Sequence, residues 1–97
     1  MSSRPNIRHV VFFSAKNKDD VSRIIEGLSL LAEIPHADVF EVRNNTRDDA
    51  LSGEVDVVVY AEFANQDALS AYKSHPLYQQ SIDIVRPLRD LRIAADF

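Results

Sequence analysis

Glu54-Val-Asp-Val-Val-Val-Tyr-Ala-Glu-Phe63 is the stretch on which the fold turns. Successive side chains of a strand point to opposite faces. Val55, Val57, Val59, Ala61 and Phe63 therefore share one face, and Val58 and Tyr60 lie on the other, bracketed by Asp56 and Glu62. The run is β-branched and aromatic and too short for a typical helix. A strand apolar on both sides belongs at the centre of a sheet, with cover over each face.

One other segment has this character. Ile7 to Ser14 places Ile7, His9, Val11 and Phe13 on one face and Arg8, Val10, Phe12 and Ser14 on the other, with large apolar side chains at the centre of both. Ala37 to Asn45 is a weaker strand. Phe40 and Val42 face one way, while Val39 shares its face with Glu41 and Arg43, which suits an edge. Asp90 to Phe97 closes the series, alternating Leu91, Ile93 and Ala95 against Arg92, Ala94 and Asp96.

Helices fill the gaps. Over Asp19 to Glu33, the residues Val21, Ile24, Ile25, Leu28, Leu31 and Ala32 form one helical stripe. Asp19 or Asp20 is the expected cap, and Pro35 stops the helix. Asn65 is placed to cap a second helix reaching Ser74, with Ala68, Leu69 and Tyr72 inward. Pro76 breaks that helix and suits the first turn of another, whose stripe is Leu77, Ser81, Ile84, Val85 and Leu88. The order β-α-β-β-α-β specifies an α+β, ferredoxin-like domain over residues 7–97, with an antiparallel sheet and the two doubly apolar strands at its centre. Met1 to Asn6 is expected to be a short flexible head.

All helices of this architecture pack on one sheet face. The other face then exposes Val10, Phe12, Val58 and Tyr60. A contiguous apolar patch on a small protein marks an interface. The simplest occupant is a second copy, sheet against sheet.

Composition excludes much chemistry. Among 97 residues there is no cysteine, which removes disulfides, thiol nucleophiles and thiolate metal sites. Two glycines, Gly27 and Gly53, cannot build a phosphate-cradling loop. Fifteen acids against eleven bases give a net charge of −4, contrary to a nucleic-acid binder. No apolar run is long enough to span a membrane, and the start lacks the apolar core of a signal peptide, so a cytoplasmic protein is the expectation. His9, His36 and His75 lack ligand-like spacing, so neither metal nor cofactor is expected.

Three segments carry a resemblance: Ile-Arg-His-Val-Val-Phe-Phe from Ile7 to Phe13, Phe-Ala-Asn-Gln-Asp-Ala-Leu-Ser-Ala-Tyr-Lys-Ser-His-Pro from Phe63 to Pro76, and the closing Ala-Asp-Phe from Ala95 to Phe97. Together they resemble the stress-responsive A/B barrel, or Dabb, family over nearly the whole chain. The resemblance implies a homodimeric α/β barrel made of two face-to-face sheets. Many members have no assigned activity, and some plant members are stress-induced. A few are polyketide cyclases, related in fold to cofactor-free monooxygenases. Their pocket lies between sheet and helices and uses a Tyr just before the His-Pro pair and a second His three residues after the first. Tyr72 matches that Tyr, but Tyr78 stands at the second His position, so the cyclase-type base is missing.

His9 looks toward the helices and has the chemistry of a base near neutral pH, or of a hydrogen-bonded core histidine. Tyr72 and His75 share one helix side, but His75 is equally placed to cap the helix at Pro76, leaving Tyr72 as a core aromatic. His36 is expected in a solvated loop. The expected ligand pocket has walls from Val11, Phe13, Leu28, Val57, Val59 and Leu69, with polar groups from His9, Tyr72, His75 and Tyr78. The expected function is binding of a small, partly apolar molecule there, or a stress-related role. The alternative is a cofactor-independent enzyme of polyketide-cyclase or monooxygenase type, with His9 as base and Tyr72 stabilising an oxyanion.

Overall fold

The computed structural model describes residues 7–97, so the expected flexible head, Met1 to Asn6, lies outside the described residues. The elements are β1 (Ile7–Ala15), α1 (Val21–Ser29), β2 (Val39–Asn44), β3 (Val57–Phe63), α2 (Gln66–Ser74), α3 (Pro76–Val85) and β4 (Arg89–Asp96). They form one four-stranded antiparallel sheet in the order β2-β3-β1-β4. The two doubly apolar strands are central, and the fold is the ferredoxin-like α+β arrangement.

The two faces of the sheet differ. Val11, Phe13, Val57, Val59, Ala61 and Phe63 are buried beneath the helices with Ile24, Leu28, Leu69 and Val85. On the opposite face, Val10 pairs with Tyr60 and Phe12 with Val58 across the two central strands. Ile93 of β4 extends that row beside Phe12. Phe12 stays 38% exposed and Ile93 53%. Glu41 and Arg43 fill the same face on edge strand β2, which keeps it partly polar there.

The first helical region is shorter than its apolar stripe suggests. Only Val21–Ser29 is α-helix, flanked by 3-10 turns at Lys18–Asp20 and Leu30–Glu33. The cap is Asn17, whose side chain accepts the Asp19 N–H at 3.0 Å, while Asp20 makes no capping bond. Ala32 is exposed because the tighter 3-10 turn rotates it away from the core. Asn65 does cap α2, accepting the Ala68 N–H at 2.8 Å. Ile84 is 43% exposed, so α3 buries Ser81 and Val85 more fully than the expected stripe had it. Gly27 lets α1 and α3 approach closely. A Cβ there would stand 2.8 Å from Ile84 Cγ2 and 2.9 Å from Val85 Cγ2.

Asp56, expected at the fringe of the strand's second face, is instead 2% exposed. It receives the Ala15 N–H at 2.8 Å, Lys18 Nζ at 2.7 Å and the Arg47 guanidinium. Burial is the largest influence on its carboxyl and acts to raise the pKa. The Lys18, Ala15 and Arg47 hydrogen bonds together outweigh it and hold the group below the ordinary carboxylate value. Arg47 reaches Asp56 from a left-handed backbone conformation, φ 63°, and also donates to the Gly53 carbonyl. The 44–53 connection is therefore tied back onto the sheet.

Candidate functional site

The site grows from three local decisions. Alternation along β1 turns His9, Val11 and Phe13 toward the helices. The last turn of α2 brings Tyr72 over the same face. Pro76 then restarts the helix so that Tyr78, Ser81, Ile82 and Val85 fall at i, i+3, i+4 and i+7, one side of α3. Between them lies a cavity of about 30 Å³, walled by these residues with Leu28, Leu31, Val59, Arg89 and Arg92. That is room for roughly two water molecules or one small chemical group.

His9 is 2% exposed, and its Nδ1 meets Asp96 Oδ1 at 2.5 Å. β1 and β4 pair with His9 opposite Asp96, so sheet register makes the contact. A carboxylate partner requires the proton on Nδ1, which leaves Nε2 of the neutral ring with its lone pair. Nε2 has no partner among the described residues. The ring packs edge-on against Phe63 and Tyr72, at centroid distances of 6.3 and 6.2 Å. Tyr72 in turn packs edge-on against Phe63 at 4.9 Å and Tyr78 at 5.3 Å. Such pairs fix ring orientation as well as burying area.

Tyr72 is 1% exposed. Burial, and then the neighbouring Tyr78, push its phenol well above the ordinary value, against a smaller opposing effect of Arg92. It stays neutral at ordinary pH and acts as an O–H donor. No hydrogen bond joins its hydroxyl or that of Ser81 to another described residue, and since no buried side-chain nitrogen or oxygen among these residues lacks a partner, both hydroxyls open onto the cavity. Such groups normally find partners, so a cavity edged by several of them is suited to supply one.

Of the residues expected at the site, His9, Val11, Phe13, Leu28, Val59, Tyr72 and Tyr78 line the cavity. Val57 and Leu69 are buried elsewhere in the core and are not among its walls. His75 is also outside it. Its Nδ1 accepts the Leu77 N–H at 3.1 Å, capping α3. His36 is half-buried rather than solvated, its ring 6.3 Å from that of His75. Sequence reasoning missed Leu31, Ser81, Ile82, Val85, Arg89 and Arg92 as walls, and Asp96 as the partner of His9. A serine inside an apolar helical stripe was the available sign for Ser81. Asp96 needed the β1–β4 register. Among the described residues no group of three or more His, Asp or Glu could hold a metal ion, and no helix is long and apolar enough to cross a membrane.

A shallower hollow of about 240 Å³ lies between Ser29, Ala32 and residues 40–43. It gathers no comparable set of buried polar atoms.

No curated protein matches this chain. Solved structures do. A dimeric ferredoxin-like protein of unknown function from Thermobifida fusca is 28% identical, with a TM-score of 0.81 over 100% of this chain and 93% of that one. A Dabb-family protein with a ferredoxin-like fold from Mesorhizobium loti is 22% identical, with a TM-score of 0.76 over 94% and 93%. A proposed antibiotic biosynthesis monooxygenase from Nitrosomonas europaea is 19% identical, with a TM-score of 0.76 over 94% and 95%. At these last two identities the likeness concerns fold alone. The model of the Stress Responsive A/B Barrel Domain matches residues 7–97. The chain belongs to the stress-responsive A/B barrel family.

Proposed function

We propose that this protein is a homodimer that binds a small, partly apolar ligand in the cavity between sheet and helices. The observation that carries the binding reading is the convergence of Tyr72, Ser81 and His9 on an otherwise apolar cavity, with polar atoms that lack partners among the described residues. A cavity of about 30 Å³ admits the end of a ligand, and the remainder lies toward the mouth. Mass spectrometry of the purified protein under native conditions tests this. The expected result is a bound small molecule that is lost in Tyr72→Phe or His9→Ala. A protein free of ligand that binds none from a metabolite mixture overturns it.

Dimerisation is supported by the outer sheet face, where Val10, Phe12, Val58, Tyr60 and Ile93 form adjoining rows. The Thermobifida relative, described as dimeric, agrees with this. Phe12→Asp would bury a charge in such an interface, a cost of several kcal/mol. Sedimentation is expected to show a dimer for the parent chain and a monomer for the variant. Equal masses for the two would reject this arrangement.

The contact between His9 and Asp96 favours a second reading, a cofactor-independent enzyme acting on a phenolic or polyketide-like substrate. Asp96 would hold the ring so that Nε2 takes a proton from substrate, while the neutral Tyr72 hydroxyl donates to the developing oxyanion. Turnover of such compounds, abolished in His9→Ala and reduced in Tyr72→Phe, is the expected signature. Binding without turnover in every variant decides for the first reading.

A further inference from the structure

Three arginines fall within residues 86–92 of a chain whose net charge is −4. Arg89 and Arg92 line the cavity, and Arg86 stands at the end of α3. None of the three forms an ion pair among the described residues, whereas Arg23, Arg43, Arg47 and Lys18 all do. Among the described residues Arg92 makes one side-chain hydrogen bond, a long one from Nη2 to the Tyr78 hydroxyl at 3.5 Å. The Arg89 guanidinium is held below its ordinary pKa by partial burial first, then by the charges of Arg92 and Arg86. Like charges gathered around a half-buried guanidinium are unfavourable without an anion to offset them. Val11, Phe13, Leu28, Leu31 and Val59 supply apolar walls to the same cavity.

We propose that the cavity takes a small organic monocarboxylate. Its carboxylate sits at Arg89 and Arg92, and its slim apolar tail points inward along Val11 and Leu28 toward Tyr72. Guanidinium groups suit this role because their planar forks meet carboxylates with two parallel hydrogen bonds. The inference rests on the binding reading above and adds the charge and shape of the ligand. A volume of about 30 Å³ favours an unbranched tail over a ring system.

The test is a titration of the whole protein with propionate and, separately, with the neutral isostere propionamide, followed by NMR at Tyr72 and Ser81. Propionate is expected to bind at least about tenfold more tightly, the scale of a charge-assisted hydrogen bond. Added salt should weaken propionate and leave propionamide unaffected. The double substitution of Arg89→Gln with Arg92→Gln should bring propionate down to the level of propionamide. Arg92→Gln alone, at an exposed position, should weaken it by a smaller factor. Equal affinity for acid and amide, or unchanged affinity in the folded variants, overturns the carboxylate inference and leaves the binding reading standing. If neither compound moves the cavity resonances, both fail together.

Discussion

Asp56 and His9 are each about 2% exposed, at opposite ends of the paired strands β1 and β3. Their surroundings differ. Asp56 accepts from a backbone N–H, a lysine and an arginine, and its compensation comes from within the chain. His9 has one partner, Asp96, and its second nitrogen joins Tyr72 and Ser81 beside the cavity, where partners are lacking among the described residues. A buried charge fully served by its neighbours serves the fold. Among the described residues no buried side-chain nitrogen or oxygen is left without a partner, so polar atoms that meet no protein partner open onto the cavity, where they fit a function. The contrast separates structural from functional burial within one small domain.

The largest expected effect breaks the Asp56 end. Asp56→Ala leaves the Ala15 N–H unserved and strands Lys18 and Arg47, at a cost of about 3 kcal/mol in chemical denaturation. A loss below about 1 kcal/mol would mean that the two ends are not different in kind. Acid probes the same group. Its folded pKa is depressed, so the stability it contributes is present above the ordinary carboxylate value of 3.8 and is lost as pH falls through the lowered one. Asp56→Asn should flatten the acid limb of a stability–pH curve. An unchanged limb would assign acid sensitivity elsewhere.

The next effect sharpens the comparison from the helical side. Gly27→Ala forces Ile84 and Val85 aside, and Val85 is a cavity wall. Overpacking of this kind costs about 1–3 kcal/mol, offset by about 1 kcal/mol of improved helix propensity. A net loss of about 1 kcal/mol is expected, together with altered ligand binding. The Asp56 end should keep its acid response in that variant. The smallest change concerns Tyr72→Phe. Its hydroxyl serves no partner among the described residues, so removal should alter stability by less than about 0.5 kcal/mol while reducing binding. A large loss of stability would show that the cavity end is as structural as the Asp56 end.

Periodicity carried most of the fold. Alternation in β1 and β3 determined which strands are central, and Pro76 with Asn65 divided the helices correctly. The misses share a cause. Asp56 looked like a strand's polar fringe because its partners Lys18 and Arg47 lie 38 and 9 residues away in sequence. Asp96 was invisible as a site residue because strand pairing, not local pattern, sets it opposite His9. Arg89 and Arg92 lie in the first half of edge strand β4, where charged residues ordinarily signify solvent. Local pattern reports which way a side chain points, whereas a site depends on what distant elements bring to meet it.

The His9–Asp96 contact spans 87 residues, and the same strands exchange two backbone hydrogen bonds between Arg8 and Phe97. Closing so long a loop carries an entropic cost that the β1–β4 ladder must offset. The register of β4 against β1 therefore does two things at once: it completes the sheet and orients the imidazole at the cavity.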